Sequence, residues 1–73
     1  MIIQKHYFED LEKIGLKFNK ENGKYEYIRI NDLDIVSKIT VNSWDGKLEV
    51  FLLKTEDLKI LYKILDNCYV KLE

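Results

Sequence analysis

Alanine and proline are absent from this chain, and cysteine, histidine and arginine occur once each, as Cys68, His6 and Arg29. A single cysteine excludes an intramolecular disulfide and fits a reducing compartment. A single histidine without a positioned partner supplies neither a triad base nor a zinc ligand set. No apolar run approaches the roughly 20 residues of a membrane span, and the opening MIIQKHYFED is too short and too soon charged for a signal peptide. A cytoplasmic location is therefore expected. The three glycines, Gly15, Gly23 and Gly46, sit at a helix end or in turns, so they form no phosphate-cradling loop. Acids and bases are mixed along the chain and the formal net charge is -1, which leaves no basic tail for nucleic acid.

What is present is a hydrophobic fraction of 47% in 73 residues. That is one domain, 1–73, with a real core but a small one, so stability depends on good packing or on association. The basic residues are lysine apart from Arg29. Together with the missing alanine and proline, this is the bias of an AT-rich bacterial or phage genome.

The best-specified stretch is Lys47 to Leu65. In its first part Leu48, Val50 and Leu52 alternate with Glu49, Phe51 and Leu53, the pattern of a strand with two distinct faces. Thr55 then reads as an N-cap, with Glu56 and Asp57 where the helix dipole favours acids. Leu58, Leu61, Leu65 and Cys68 follow at helical spacing. Tyr62 and Tyr69 widen that stripe on one flank, and Ile60 and Ile64 on the other. The apolar arc spans roughly 200°, twice what one buried contact requires, so the N-terminal helix or a partner must also pack here.

Earlier in the chain, Tyr7, Phe8, Leu11 and Ile14 mark a short helix over residues 5 to 14. Gly15 is placed to end it, with Leu16 folding back on Leu11. Leu16 to Lys20 alternates, Asn22-Gly23 signals a hairpin, and Lys24 to Ile30 returns. Asn31 to Asp34 is turn chemistry, Ile35 to Asn42 is a third strand, and Ser43-Trp44-Asp45-Gly46 reverses the chain again. Beyond Asp66 the pattern fits either a helix or a strand, and a helix fraying near Asn67 is favoured. The expected fold is α+β: a four-stranded antiparallel meander with an N-terminal and a C-terminal helix on one face, in the order α-β-β-β-β-α.

Hydropathy assigns Ile28, Ile30, Ile35, Ile39, Val41, Leu48, Val50 and Leu52 to the helix-covered face. The open face then carries Tyr25, Tyr27 and Arg29 beside Lys38, Thr40, Asn42, Glu49, Phe51 and Leu53. These aromatics and the arginine are residue types enriched in protein interfaces, and Trp44 at a hairpin tip is a candidate anchor at the rim. Tyr25, Tyr27, Arg29, Trp44 and Phe51 are therefore the expected partner-binding residues. Cys68 falls on an apolar stripe and reads as a buried hydrophobe. Asp32 and Asp34 lack the glycine and distal glutamate of a calcium loop, so they read as a turn.

With no catalytic, metal or cofactor constellation, the expectation is a non-catalytic module that binds another protein, together with a possible homodimer. In size and character the chain resembles the small proteins of phages and mobile elements, inhibitors of host defence nucleases among them. The alternative is a single-stranded nucleic-acid binder that stacks bases on the aromatic open face.

Overall fold

The computed structural model describes residues 1–68, 70 and 71. The elements run β1 (Ile2–Ile3), a 3-10 turn (Lys5–Tyr7), α1 (Phe8–Ile14), β2 (Lys17–Asn19), β3 (Lys24–Asn31), β4 (Asp34–Asn42), β5 (Leu48–Leu52), a second 3-10 turn (Thr55–Asp57), α2 (Leu58–Asn67) and β6 (Val70–Lys71). Strands β2 to β5 form a four-stranded sheet in sequential order, with every pairing antiparallel. Both helices pack on one face of it, around a core of Ile3, Leu11, Leu16, Ile39, Val41, Leu48, Ile64 and Cys68. This is the expected α+β meander.

Local chemistry explains the joints. At Gly15 the backbone takes φ 131°, and Leu16 N–H donates to Leu11 C=O at 2.9 Å. This is the six-to-one bond that closes a helix with glycine just past its end. Leu11 and Leu16 are thereby both buried.

The sequence pattern did not disclose a second, two-stranded sheet in which β1 pairs antiparallel with β6. The extended C-terminal segment is thus a strand partner, and α2 ends at Asn67 as expected. The expected flank position of Tyr69 lies outside the described residues. On its other side β1 lies along the start of β5, where Leu48 N–H donates to Met1 C=O at 2.9 Å and Ile3 N–H donates to Gly46 C=O at 2.8 Å.

Three expectations are corrected. First, β3 presents the opposite face to the one hydropathy assigns. The register pairs Tyr25 with Val41, Tyr27 with Ile39 and Arg29 with Ser37, and cross-strand partners share a face. Tyr25, Tyr27 and Arg29 therefore lie under the helices, while Ile28 and Ile30 lie on the open side and are exposed. A bulge between Arg29 and Ile30 pairs Ile35 with Ile30, so Ile35 joins the open side as well.

Second, the buried stripe of α2 is rotated. Ile64 is fully buried and Leu65 is exposed, so the inward line runs Asp57, Leu61, Ile64, Cys68. Third, Thr55 opens a 3-10 turn, and no side chain caps either that turn or α2. The acid that follows it, Asp57, is not solvated at a helix start but buried at 1% exposure.

Gly46 is required by close approach as well as by its turn. Its φ is 74°, and a β-carbon there would stand 2.1 Å from the Ile3 carbonyl oxygen. Gly46→Ala is expected to lower stability by about 2 kcal/mol through strain and the displaced β1. Faster amide exchange at Ile3 and Leu48 than in the wild type is the local readout. Unchanged protection at both amides would show that β1 docks independently of this contact.

Candidate functional site

Two constellations remain once the elements are in place, one on each face of the sheet. On the helix face the side chains of β3, β4 and the start of α2 converge on Asp57. Its carboxylate accepts from Tyr27 Oη at 2.6 Å, Ser37 Oγ at 2.5 Å, and the Arg29 Nε and Nη2 at 2.9–3.0 Å. Arg29 Nη2 also donates to Tyr27 Oη at 3.3 Å, and its Nη1 lies 3.5 Å from Glu56.

The two-pronged approach of Arg29 is the strong form of a carboxylate pair. The hydrogen-bonded guanidinium holds the Asp57 carboxyl down at about 2, against the opposing effect of burial, with Ser37 and Tyr27 assisting. The same carboxylate raises the Tyr27 phenol, and burial adds to that shift. Arg29 is held still more firmly protonated by its hydrogen bond to Asp57. Tyr27, Arg29 and Ser37 all donate to the one carboxylate, so the arrangement clamps the helix start to the sheet. Cys68 is buried in the core, and desolvation pushes its thiol up.

Of the residues expected to bind a partner, Tyr25, Tyr27 and Arg29 are thus engaged under the helices. The Tyr25 ring packs between Phe8 at 5.2 Å and Phe18 at 5.0 Å, centroid to centroid. Phe51 is on the other face, opposite Lys38 and in line with Ile28. Trp44 is at a third place: it lies beside the Asn22-Gly23 turn, close enough that a β-carbon on Gly23 would come within 3.4 Å of its ring, yet it is largely exposed. The five residues do not form one surface.

The open face instead gathers exposed apolar groups, three of which, Ile28, Ile30 and Ile35, hydropathy had placed inside. Ile28, Ile30, Ile35 and Phe51 project there, and Leu53 lies just past β5, where its N–H donates to Val36 C=O at 2.8 Å. At the tip of the β3–β4 hairpin is Leu33, 97% exposed, with φ 73° following Asp32 at φ 51°. Two successive positive φ values are the hairpin turn that matches strand twist, for which Asn-Gly or Asp-Gly is usual. Leucine pays steric energy there and gains no burial. Lys38 stands between Ile28 and Phe51, and Glu26 and Glu49 flank Thr40 in the next row of this face. Thr40 and Asn42, toward the other end of the face, are buried.

Among the described residues no cluster of three or more His, Cys, Asp or Glu could hold a metal ion, and no helix is long and apolar enough to cross a membrane. Comparisons with protein-family models, with curated proteins and with solved structures return no match.

Removing the buried acceptor leaves Tyr27 and Ser37 without their partner, but the Arg29 side chain is 40% exposed and keeps Glu56, so Asp57→Ala is expected to cost less than the ~3–5 kcal/mol of a fully buried pair. Ser37→Ala, losing one hydrogen bond to a charged group, and Tyr27→Phe, losing its bond to Asp57 and the longer one from Arg29, should each cost about 1.5–3 kcal/mol. Because the folded-state carboxyl is depressed to about 2, its stabilisation is full above the unfolded value near ~4. It is lost as pH falls through the folded value. Urea unfolding from pH 6 to pH 2 should therefore show the gap between wild type and Asp57→Asn narrowing below about pH 4. A gap that stays constant to pH 2 would mean that the carboxylate charge contributes nothing.

Proposed function

We propose that the chain is a non-catalytic protein-binding module that meets its partner with the open face of the sheet around the β3–β4 hairpin tip. The observation that carries this reading is the exposed set Ile28, Ile30, Ile35 and Phe51 on one face, with Leu33 exposed at the adjoining hairpin tip and Leu53 exposed just past β5. Exposed apolar groups gathered in this way mark interaction sites. Lys38 among them and Glu26 and Glu49 in the next row give polar neighbours of mixed sign, which suit a protein surface better than a polyanion.

The chain's small size and AT-rich residue bias support an inhibitor or regulator of the kind that phages and mobile elements encode, for instance against a host defence nuclease. The nucleic-acid reading has less support, because Tyr25 and Tyr27, the stacking platform it needs, pack under the helices and Arg29 is engaged by Asp57.

Leu33 makes the reading testable through a trade of stability against binding. Leu33→Asn places a residue that tolerates positive φ in the turn, and should raise folding stability by about 0.5–1 kcal/mol. With Ile30→Ser added, the protein should remain folded but lose partners that the wild type captures from its host's extract. Trp44→Ser, at the far end of the sheet, should retain them. Equal capture by wild type and the Ile30→Ser/Leu33→Asn variant would sink the assignment of the face. Recovery only of nucleic acid, released by moderate salt, would favour the alternative.

A further inference from the structure

The two edges of the four-stranded sheet are unlike each other. The β2 edge is three residues long, begins with Lys17 and is followed by Lys20, a short, charged edge that resists pairing with another chain. The β5 edge is longer, five residues, and carries one charge within the strand, Glu49. Its sequence from Val50 to Leu53 is Val-Phe-Leu-Leu, without charge, proline or glycine, and its ladder with β4 is regular.

The hydrogen-bonding groups of this edge can be assigned residue by residue. Leu48 N–H points outward, since it donates to Met1, and Leu53 N–H points inward, since it donates to Val36. Alternation along the strand then turns the N–H and C=O of Val50 and Leu52 outward. β1 covers the edge only at Lys47 and Leu48. Val50, although on the helix-covered face, is 41% exposed, and among the described residues no strand pairs with it on the edge side.

We infer that β5 pairs antiparallel with β5 of a second copy of this chain, about a two-fold axis through Phe51. This inference rests on the hydrogen-bonding groups of the edge rather than on the proposed function, although Phe51 and Leu53 belong to both surfaces. The register follows from the edge itself. Centred on Phe51, Val50 faces the partner copy's Leu52 and the reverse, and these two pairs exchange four hydrogen bonds that satisfy the outward groups of both residues in both copies. Centring on Val50 would require Leu48, whose N–H is already bound to Met1.

The Phe51-centred seam brings two phenylalanines together at a close, non-hydrogen-bonded position, sets Glu49 against leucine, and opposes no like charges. It covers Val50 and joins the two open faces side by side. The contact is small, so association is expected over roughly 10–500 µM.

Sedimentation should show apparent mass rising toward twice the monomer over that range, and amide exchange at Val50 and Leu52 should slow with concentration. Val50→Pro removes an outward N–H and is tolerated at an edge, so this variant should keep the wild-type circular dichroism and sediment as a monomer. In a Cys68→Ala background, Phe51→Cys should cross-link under mild oxidation, because paired α-carbons stand about 4.5 Å apart, within disulfide reach. Glu49→Cys should not, its two copies being separated by about 14 Å.

A wild type that is monomeric throughout, or a dimer that survives Val50→Pro, overturns the proposal. Cross-linking of Glu49→Cys in place of Phe51→Cys overturns the register. Val50 and Leu52 protected only by a peptide of another protein would assign the edge to a foreign strand and overturn the second copy as its occupant.

Discussion

The carboxylate of Asp57 is the constraint from which the arrangement of the helix face follows. An ionised group with 1% exposure is tolerated only if its lone pairs are filled and its charge is met. Filling them takes donors from two neighbouring strands, Tyr27 and Arg29 on β3 and Ser37 on β4. Those donors must share one face with the start of α2. Once they do, alternation turns Ile28 and Ile30 to solvent. The helix is likewise turned so that Asp57, Leu61, Ile64 and Cys68 line up inward and Leu65 comes out. A polar contact therefore decides which apolar residues are exposed.

That dependence marks what the sequence discloses and what it does not. The elements were legible because each rests on local chemistry: Gly15 ends α1, Asn22-Gly23 and Asp45-Gly46 make turns, and alternation marks β3 to β5. The order and pairing of the strands follow from short connections. The faces of β3 were not legible, because hydropathy ranks isoleucine above tyrosine and arginine as an interior residue. One signal was available: Asp57 lies in helical register with Leu61, Ile64 and Cys68, and an acid on an apolar stripe asks for a cation and hydroxyls opposite it. Arg29, the only arginine, was the natural partner. The β1–β6 pairing left no such trace, since two-residue strands have no periodicity to read.

The candidate site shows the same division. Phe51 was correctly placed on the open face, whereas Tyr25, Tyr27 and Arg29 were identified as unusual for their chemistry but assigned to the wrong side. Their aromatic and cationic character reflects the clamp and the Phe8–Tyr25–Phe18 stack, an internal use that composition cannot distinguish from an interface. Leu33 was passed over because a leucine between two aspartates looks like ordinary turn filler. Its significance is conformational, and φ 73° is visible only in the fold.

Local rules and the fold agree through most of this chain and disagree at a few positions, and the disagreements are of two kinds. Ser37, Arg29 and Asp57 violate hydropathy but are compensated by one another within the fold. Leu33, Ile30 and Val50 violate it without compensation: a strained leucine in solvent, an exposed isoleucine beside it, and a half-exposed valine on the β5 edge. A domain of 73 residues has little stability to spare, so uncompensated costs concentrate where the surface has a use. All three lie on β5 or toward the β3–β4 hairpin, away from the β2 edge, which has the charge and shortness of a strand meant to stay unpaired. The asymmetry between the two edges is thus what distinguishes the side proposed to pair from the side that folds alone.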